Sequence, residues 1–369
     1  MGKTASLANI GSIADSSLGF RNRIINGAMV IDQRNAGAAV TPGGSTYTLD
    51  RWGFQAGVGS KFTIEQKSTY SSASNYEAGS APAGFSTSLK LTVAAAYTPG
   101  TTDAFNIGQY IEGLNVADLN WGTASAQTIA FSFWVKCSVT GTYSVQFGGD
   151  NGRGYIGNYT VNAANTWEYK TIVVPGDTSG TYATNNTTGL MAFFSLGAGS
   201  GRQNTANVWT ASGYTTVAAT GSTNLVTNAS ATWYITGVQL EKGSTATSFD
   251  YRPYGTELQL CQRYAYPIRG GFSGFGNGTT VVDTGFNFPV EMRSAPSLTQ
   301  GTLVYIAFGV GASFVQSASS TSLPNNITQN GCILRFNNFT LTANSAYVLA
   351  PNATTTAVTT YAGILTAEL

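Results

Sequence analysis

The chain has no histidine. Without an imidazole there is no Ser-His-Asp or Cys-His nucleophile pair and no histidine metal ligand. The three cysteines, Cys137, Cys261 and Cys332, are odd in number and far apart. They lack the close pairing of a metal site, so they are expected to be buried free thiols, with no metal and no cofactor. One hydrolytic chemistry stays open, because two carboxylates about 5 to 10 Å apart suffice to cleave a glycosidic bond. Asp103, Glu112, Asp150, Asp177 and Asp283 lie near expected loops. No motif brings two of them together, and single carboxylates in turns ordinarily cap backbone amides. No catalytic residue is assigned, and the chain reads as non-enzymatic. Gly2-Lys3-Thr4 ends like a phosphate loop but lacks the upstream glycine that such a loop needs.

Rings are the remaining chemical resource: 19 Tyr, 19 Phe and 6 Trp. A loop aromatic can stack on the CH face of a sugar while Asn, Gln, Asp and backbone groups take the hydroxyls. Tyr155, Trp209 and Tyr214 are candidates for this, as are Phe272 and Phe275 on the glycine-rich tip Gly270–Gly278. Phe131, Phe133, Trp233 and Tyr234 lie on strand patterns and are expected in the core.

The elements that must position these rings are short strands. Ser88–Val93, Ile129–Val135, Trp167–Val173 and Trp233–Leu240 alternate apolar and polar residues with period two and are rich in β-branched and aromatic types. Turn chemistry separates them, as at Gly148–Gly152 and Pro175–Asp177. Many short strands with turns between them imply a sandwich or barrel. One segment differs: Leu258, Cys261 and Tyr264 follow helical spacing, with Thr256 placed to cap the start and Glu257 at the positive end of the dipole. The division expected is an extended attachment arm over 1–19, a large β domain over 20–254, a connector helix over 255–266 and a smaller β domain over 267–369.

Charge narrows the function classes. Eighteen Lys+Arg and 17 Asp+Glu leave a net charge of +1, and only 9% of residues are charged against about a quarter in an average domain. Solvent-exposed amphipathic helices are thereby excluded in number, and no basic stripe exists to neutralise phosphates, so nucleic acid is not an expected partner. The longest weakly polar run, Leu303–Val315, is 13 residues, short of the roughly 20 a spanning helix needs. No membrane insertion is expected. The start lacks the apolar stretch of a secretory signal, which implies synthesis and retention in a cytoplasm. Sparse charge suits a protein that stays assembled, since interface cores are depleted in Lys, Glu and Asp.

Two segments go beyond composition. The first runs Arg21-Asn22, Ile25-Asn26-Gly27 and Gln33-Arg34, followed by Asp50-Arg51-Trp52. The second runs Gly237-Val238-Gln239-Leu240-Glu241, Ala246-Thr247, Phe249, Arg252-Pro253, Gly255, Glu257-Leu258 and Cys261-Gln262-Arg263-Tyr264. Together they resemble the tail-fibre and related virion proteins of tailed bacteriophages, in which such an opening and close bracket a jelly-roll domain similar to carbohydrate-binding modules. The resemblance spans about Arg21 to Tyr264. Phe288-Pro289-Val290, Met292-Arg293 and Pro296 are similar to the start of the domain that follows in such proteins.

The resemblance implies an all-β chain: a jelly-roll β-sandwich, a short connector helix and a smaller C-terminal β-sandwich. It implies a virion protein, a tail fibre adsorbing to host-surface glycan, bound to other virion proteins through the N-terminal arm and self-associating as a homotrimer. The alternatives are a capsid decoration or head-fibre protein acting through protein contacts alone, and a polysaccharide depolymerase. The last calls for stacked β-helix rungs and clustered carboxylates, which the sequence lacks. Within the motifs, Asn22, Asn26, Gly27, Asp50, Arg51, Trp52, Glu241, Arg252, Pro253, Glu257, Cys261 and Arg263 read as scaffold. Asn26-Gly27 would turn the chain into the first strand, Asp50 and Arg51 would pair beside Trp52, and Arg252 with Glu257 would tie the last strand to the helix.

Overall fold

Among the described residues fourteen strands precede the helix: β1 (Thr46–Leu49), β2 (Trp52–Ala56), β3 (Phe62–Ser68), β4 (Thr87–Val93), β5 (Ala104–Glu112), β6 (Ile129–Cys137), β7 (Gly141–Gly148), β8 (Gly154–Val161), β9 (Glu168–Val174), β10 (Thr188–Ala198), β11 (Gln203–Asn204), β12 (Trp209–Thr210), β13 (Ala218–Ala219) and β14 (Thr232–Lys242). The computed structural model describes residues 21–211, 215–269, 272–300, 305–309, 312–317, 320–323, 327–337, 346–351 and 363–369. The arm over 1–19 and the candidate Tyr214 lie outside the described residues, as do Gly270 and Gly271 of the tip. Antiparallel pairing builds a seven-stranded sheet in the order β1-β2-β5-β10-β7-β8-β12 and a five-stranded sheet in the order β3-β4-β14-β6-β9. The chain crosses repeatedly between the two sheets, giving a jelly-roll β-sandwich.

Alternation decides which residues face inward. In β6, Ile129, Phe131, Phe133, Val135 and Cys137 are buried in the core, which leaves Ser132, Trp134 and Lys136 on the outer face. Across the sandwich, Leu190, Ala192, Phe194 and Leu196 of β10 meet them. Phe194 lies 4.9 Å from Phe133 and 5.3 Å from Trp233 between ring centroids, and Phe131 lies 5.1 Å from Phe147. Such interlocked rings are costly to remove, at about 3–5 kcal/mol for a Phe→Ala change. All eleven residues of β10 are buried. Part of the reason lies outside the sandwich core, where Val217 and Ala218 pack on Ala198, and Ser144 accepts from Ala219 N and meets the Ser222 hydroxyl.

Residues 21–34 plug the end of the sandwich. Asn26, at φ +58, donates through its amide to the carbonyls of Ile31 and Asp50 and accepts from Ile31 N. Asn tolerates that left-handed backbone better than most residues. Gly27 is required beside it, since a Cβ there would stand 2.2 Å from the Val238 carbonyl oxygen.

The helix α1 (Tyr254–Gln262) starts immediately after Pro253, which occupies the N-cap position. Thr256 therefore lies within the first turn and does not cap it, contrary to the sequence reading: Pro253, with its fixed φ, takes the N-cap position three residues earlier. Glu257 accepts from Asn26 N and from Arg252 at 3.1 Å, which does tie the end of the sandwich to the helix.

Among the described residues ten strands follow: β15 (Ala265–Ile268), β16 (Phe272–Gly276), β17 (Val281–Asn287), β18 (Ser297–Gln300), β19 (Tyr305–Gly309), β20 (Ala312–Ser317), β21 (Ser320–Ser322), β22 (Gly331–Asn337), β23 (Ala346–Pro351) and β24 (Gly363–Thr366). They form a three-stranded sheet, β15-β24-β18, and a seven-stranded sheet, β20-β19-β23-β16-β17-β22-β21, around Ile268, Val282, Met292, Leu334, Phe336 and Leu365.

The two β units are joined by a polar seam built from the motif residues. The Glu368 carboxylate is held by Arg34 and Arg51. The Arg51 guanidinium also lies 3.6 Å from the Tyr264 ring centroid. Arg263 grips Glu112 with two bonds of 2.8 Å. Asp50 does not pair with Arg51 as its sequence position suggested. It accepts from Gln33 N and Gln33 Nε2 instead, because Arg51 at φ +70 turns its side chain toward Glu368.

Candidate functional site

The outer face of the five-stranded sheet carries the second aromatic set of the molecule. Reading across β3, β4, β14 and β6, one row is Glu65, Lys90, Tyr234 and Lys136, with Trp167, just before β9, beside Lys136. Tyr234 thus faces away from the core that holds Trp233; it is buried because its neighbours on the outer face cover it. Lys136 lies 4.1 Å from the Tyr234 centroid and 5.4 Å from that of Trp167, and donates to the Gly79 carbonyl at 2.7 Å. Burial lowers the Lys136 pKa. Burial pushes the Glu77 carboxyl up, but hydrogen bonds from Lys90 and Tyr234 outweigh it and hold the group below the usual carboxylate range. These charges are consumed in pairs and bonds that fix the sheet surface.

The next row is a groove. Trp134 on β6 and Tyr169 on β9 are cross-strand partners with ring centroids 5.4 Å apart, forming one wall. Phe85, Phe249 and Tyr251 form the other, with centroids 4.8 to 5.5 Å apart. Ser132 and Gly237 lie between them, and Thr247 and Ser248 close one end, around a cavity of about 430 Å³. Tyr169 is 44% exposed and Tyr251 59%. No side chain with a formal charge lines it.

The far wall exists because β14 holds a loop across its own outer face. Val238 and Leu240 point inward, so Gln239 and Glu241 point outward. Glu241 accepts from Thr247 N at 2.7 Å and from the Thr247 hydroxyl at 2.8 Å. Gln239 accepts from Asp250 N at 2.8 Å. Tyr251 then donates to the Gly84 carbonyl at 2.7 Å. The register of β14 on β6 shifts between Thr236 and Gln239, a bulge with Gly237 at φ +62. Phe85 packs onto that bare backbone.

Such a groove stacks flat apolar faces on rings and offers hydroxyl and backbone partners between them. It holds no acid–base pair. The five carboxylates weighed for hydrolysis are dispersed. Asp103 accepts from Tyr97, Glu112 from Arg263 and Tyr264, Asp177 from Arg153 and Tyr182, and Asp283 from Arg335. Asp150 sits exposed in a turn. Among the described residues no three His, Cys, Asp or Glu side chains cluster as a metal site would require. No helix there is long and apolar enough to cross a membrane.

The rings singled out in the sequence lie elsewhere. Tyr155 is buried in the sandwich core. Trp209 is half-buried, donates to the Pro175 carbonyl at 2.8 Å and packs 5.1 Å from Trp121. Phe272 packs on Phe286 and Phe336 in the second β unit. Phe275 is 51% exposed on β16. The structure brings Tyr155 and Trp209 together, 5.5 Å between centroids, but places neither in the groove. Trp134 and Tyr169 escaped the sequence reading, although parity contained the signal: with Phe133 and Val135 inward, Trp134 must point out.

No family model matches the chain, and no curated protein matches it in sequence. Among solved structures it is similar to the enzymatically active domain of tailspike protein 4 of bacteriophage CBA120, at 14% identity and a TM-score of 0.29, over 60% of this chain and 21% of that one. It is also similar to TmCBM61 in complex with β-1,4-galactotriose, at 9% identity and a TM-score of 0.31, over 60% of this chain and 99% of that one. A third likeness is the CBM22-1–CBM22-2 tandem of Paenibacillus barcinonensis Xyn10C, at 9% identity and a TM-score of 0.26, over 90% of this chain and 97% of that one.

Proposed function

We propose that this protein binds a neutral glycan in the groove between Trp134–Tyr169 and Phe85–Phe249–Tyr251, without transforming it. The observation that carries the reading is the pairing of two ring walls, each with one exposed tyrosine, Tyr169 and Tyr251, with an uncharged lining. Sugar rings present apolar CH faces and neutral hydroxyls, which such walls and the Ser132, Thr247 and Ser248 side chains complement. Ligand sites of this size ordinarily combine aromatic walls with a few placed polar groups. The absence of histidine and the dispersal of the carboxylates support a binding and not a catalytic role.

The same proposal places the protein as a tail fibre or related virion component of a tailed phage, made in the host cytoplasm and carried on the particle. The motifs at Arg21–Trp52 and Gly237–Tyr264 support that placement. The groove would then meet host-surface glycan, the arm over 1–19 would attach to other virion proteins, and copies would associate as trimers.

A glycan array probed with the purified chain and with Trp134→Ala tests the binding role. Retention of neutral glycans by the native chain, lost in the variant, is expected. Equal retention by both, or turnover of a retained glycan, would defeat the reading.

A further inference from the structure

A second cavity lies at the end of the sandwich, between residues 116–123 and 180–190, with a volume of about 340 Å³. Its shape is set by glycines that let two segments touch. A Cβ on Gly122 would stand 2.3 Å from the Gly180 carbonyl oxygen, and one on Gly113 would stand 2.2 Å from that of Ala183. These contacts hold the two segments against each other beside the cavity.

Two rings dominate its inner side. Trp121 donates from Nε1 to the Gln127 carbonyl at 2.7 Å. Tyr182 donates to Asp177 at 2.7 Å, and Asp177 is in turn gripped by Arg153. The polar tip of each ring is thereby occupied and its position fixed, while the rings meet edge to face at 5.5 Å. Leu119 and Leu190 extend the apolar side. The mouth carries the exposed Thr181 and Thr184. No side chain with a formal charge lines the cavity.

We infer that this cavity is a second carbohydrate site, one that takes a single neutral sugar residue, a hexose or N-acetylhexosamine, with its CH face on the half-buried Tyr182, the buried Trp121 at the floor beside it and its hydroxyls at Thr181 and Thr184. The uncharged lining disfavours uronates and other anionic sugars, whose carboxylate would be desolvated without a partner. The size stands at the lower bound for ligand cavities, which fits one ring and not a chain. The inference rests on the reading of this protein as glycan-binding, but not on the groove. A protein with both sites would hold a branched or terminal residue apart from the chain lying in the groove, and two linked sites raise retention without new contacts.

The six tryptophans, at 52, 121, 134, 167, 209 and 233, make one experiment sufficient. The full chain labelled with 5-fluorotryptophan is titrated into the millimolar range with glucose, galactose and N-acetylglucosamine, and the fluorine resonances are assigned from single Trp→Phe variants. At least one sugar should move the Trp121 resonance saturably. The shift should persist in Trp134→Ala and vanish in Thr181→Phe, an exposed substitution that plugs the mouth and leaves the other resonances in place. Movement of Trp121 alone supports this site and removes the groove. Movement of Trp134 alone overturns this site and keeps the groove. A Trp121 shift that survives Thr181→Phe overturns the inference, and no movement of either resonance overturns both readings.

Discussion

The ring of Phe85 fills the space that a side chain at Gly237 would need: a Cβ there would stand 2.6 Å from the ring tip. Glycine at this bulge sets one wall of the groove. Gly237→Ala should cost at least about 1–2 kcal/mol from the left-handed backbone alone, and it should push Phe85 away from Phe249 and Tyr251. A lowered urea midpoint together with weakened glycan retention is the expected result.

Tyr169 lies on the outer face and is 44% exposed, so its loss should separate binding from folding. Tyr169→Ala and Trp134→Ala are each expected to weaken glycan affinity about tenfold or more, which is about 1.4 kcal/mol. Isothermal titration measures the affinity. The melting temperature of Tyr169→Ala should stay close to that of the native chain.

Glu368 neutralises Arg51, whose side chain is 1% exposed. Glu368→Ala strands that guanidinium in the seam between the two β units. Breaking a buried pair from one side typically costs about 3–5 kcal/mol, and thermal unfolding should register a drop of that order. Arg23→Ala, which removes an exposed pair with Asp118, should change stability by under about 1 kcal/mol.

Acidity should act through Asp50. Burial raises its carboxyl pKa to about 6 from an ordinary value of 3.8, against the opposing pull of Arg34 and the Gln33 bonds. A raised folded-state pKa means that the folded chain holds the proton more tightly. Its stabilising contribution is complete below about 3.8 and is lost as pH rises through 6. Glu168 runs the other way: burial raises it, but bonds from Lys170, Ala163 and Asn162 bring it down to about 2. Its contribution is present above about 4.5 and fades as pH falls below that value. Denaturant titrations should therefore show greater stability at pH 5 than at pH 7.5. Asp50→Asn should flatten that rise.

The groove's lining also fixes its response to salt. With no charged side chain in contact, glycan affinity should change less than about twofold between about 50 and 500 mM salt, because only charge interactions are screened. Surface-plasmon measurements across that range would show it.

Much of the architecture was legible because period-two alternation is a local property. Phe131, Phe133 and Val135 report their strand and their face without reference to anything distant. The groove was harder to read. Phe85, Trp134, Tyr169 and Tyr251 are scattered through the sequence, and only the pairing of β9 with β6 and the return of the loop after β14 bring them together. Trp134 and Tyr234 were within reach of parity, since each follows an inward-facing neighbour. Short elements gave no such signal: Trp209 stands on the two-residue strand β12, where nothing local says that its ring packs on Trp121. The Arg51–Glu368 pair spans 317 residues, and the adjacent Asp50 offered a nearer partner that the backbone turn at Arg51 removes.

The most direct test of the central claim is a crystal of the protein soaked with a neutral oligosaccharide that it retains. Electron density for a sugar ring between Trp134–Tyr169 and Phe85–Phe249–Tyr251 is the predicted result. An oligosaccharide ordered on another surface, with this groove empty and open to solvent, would contradict the account.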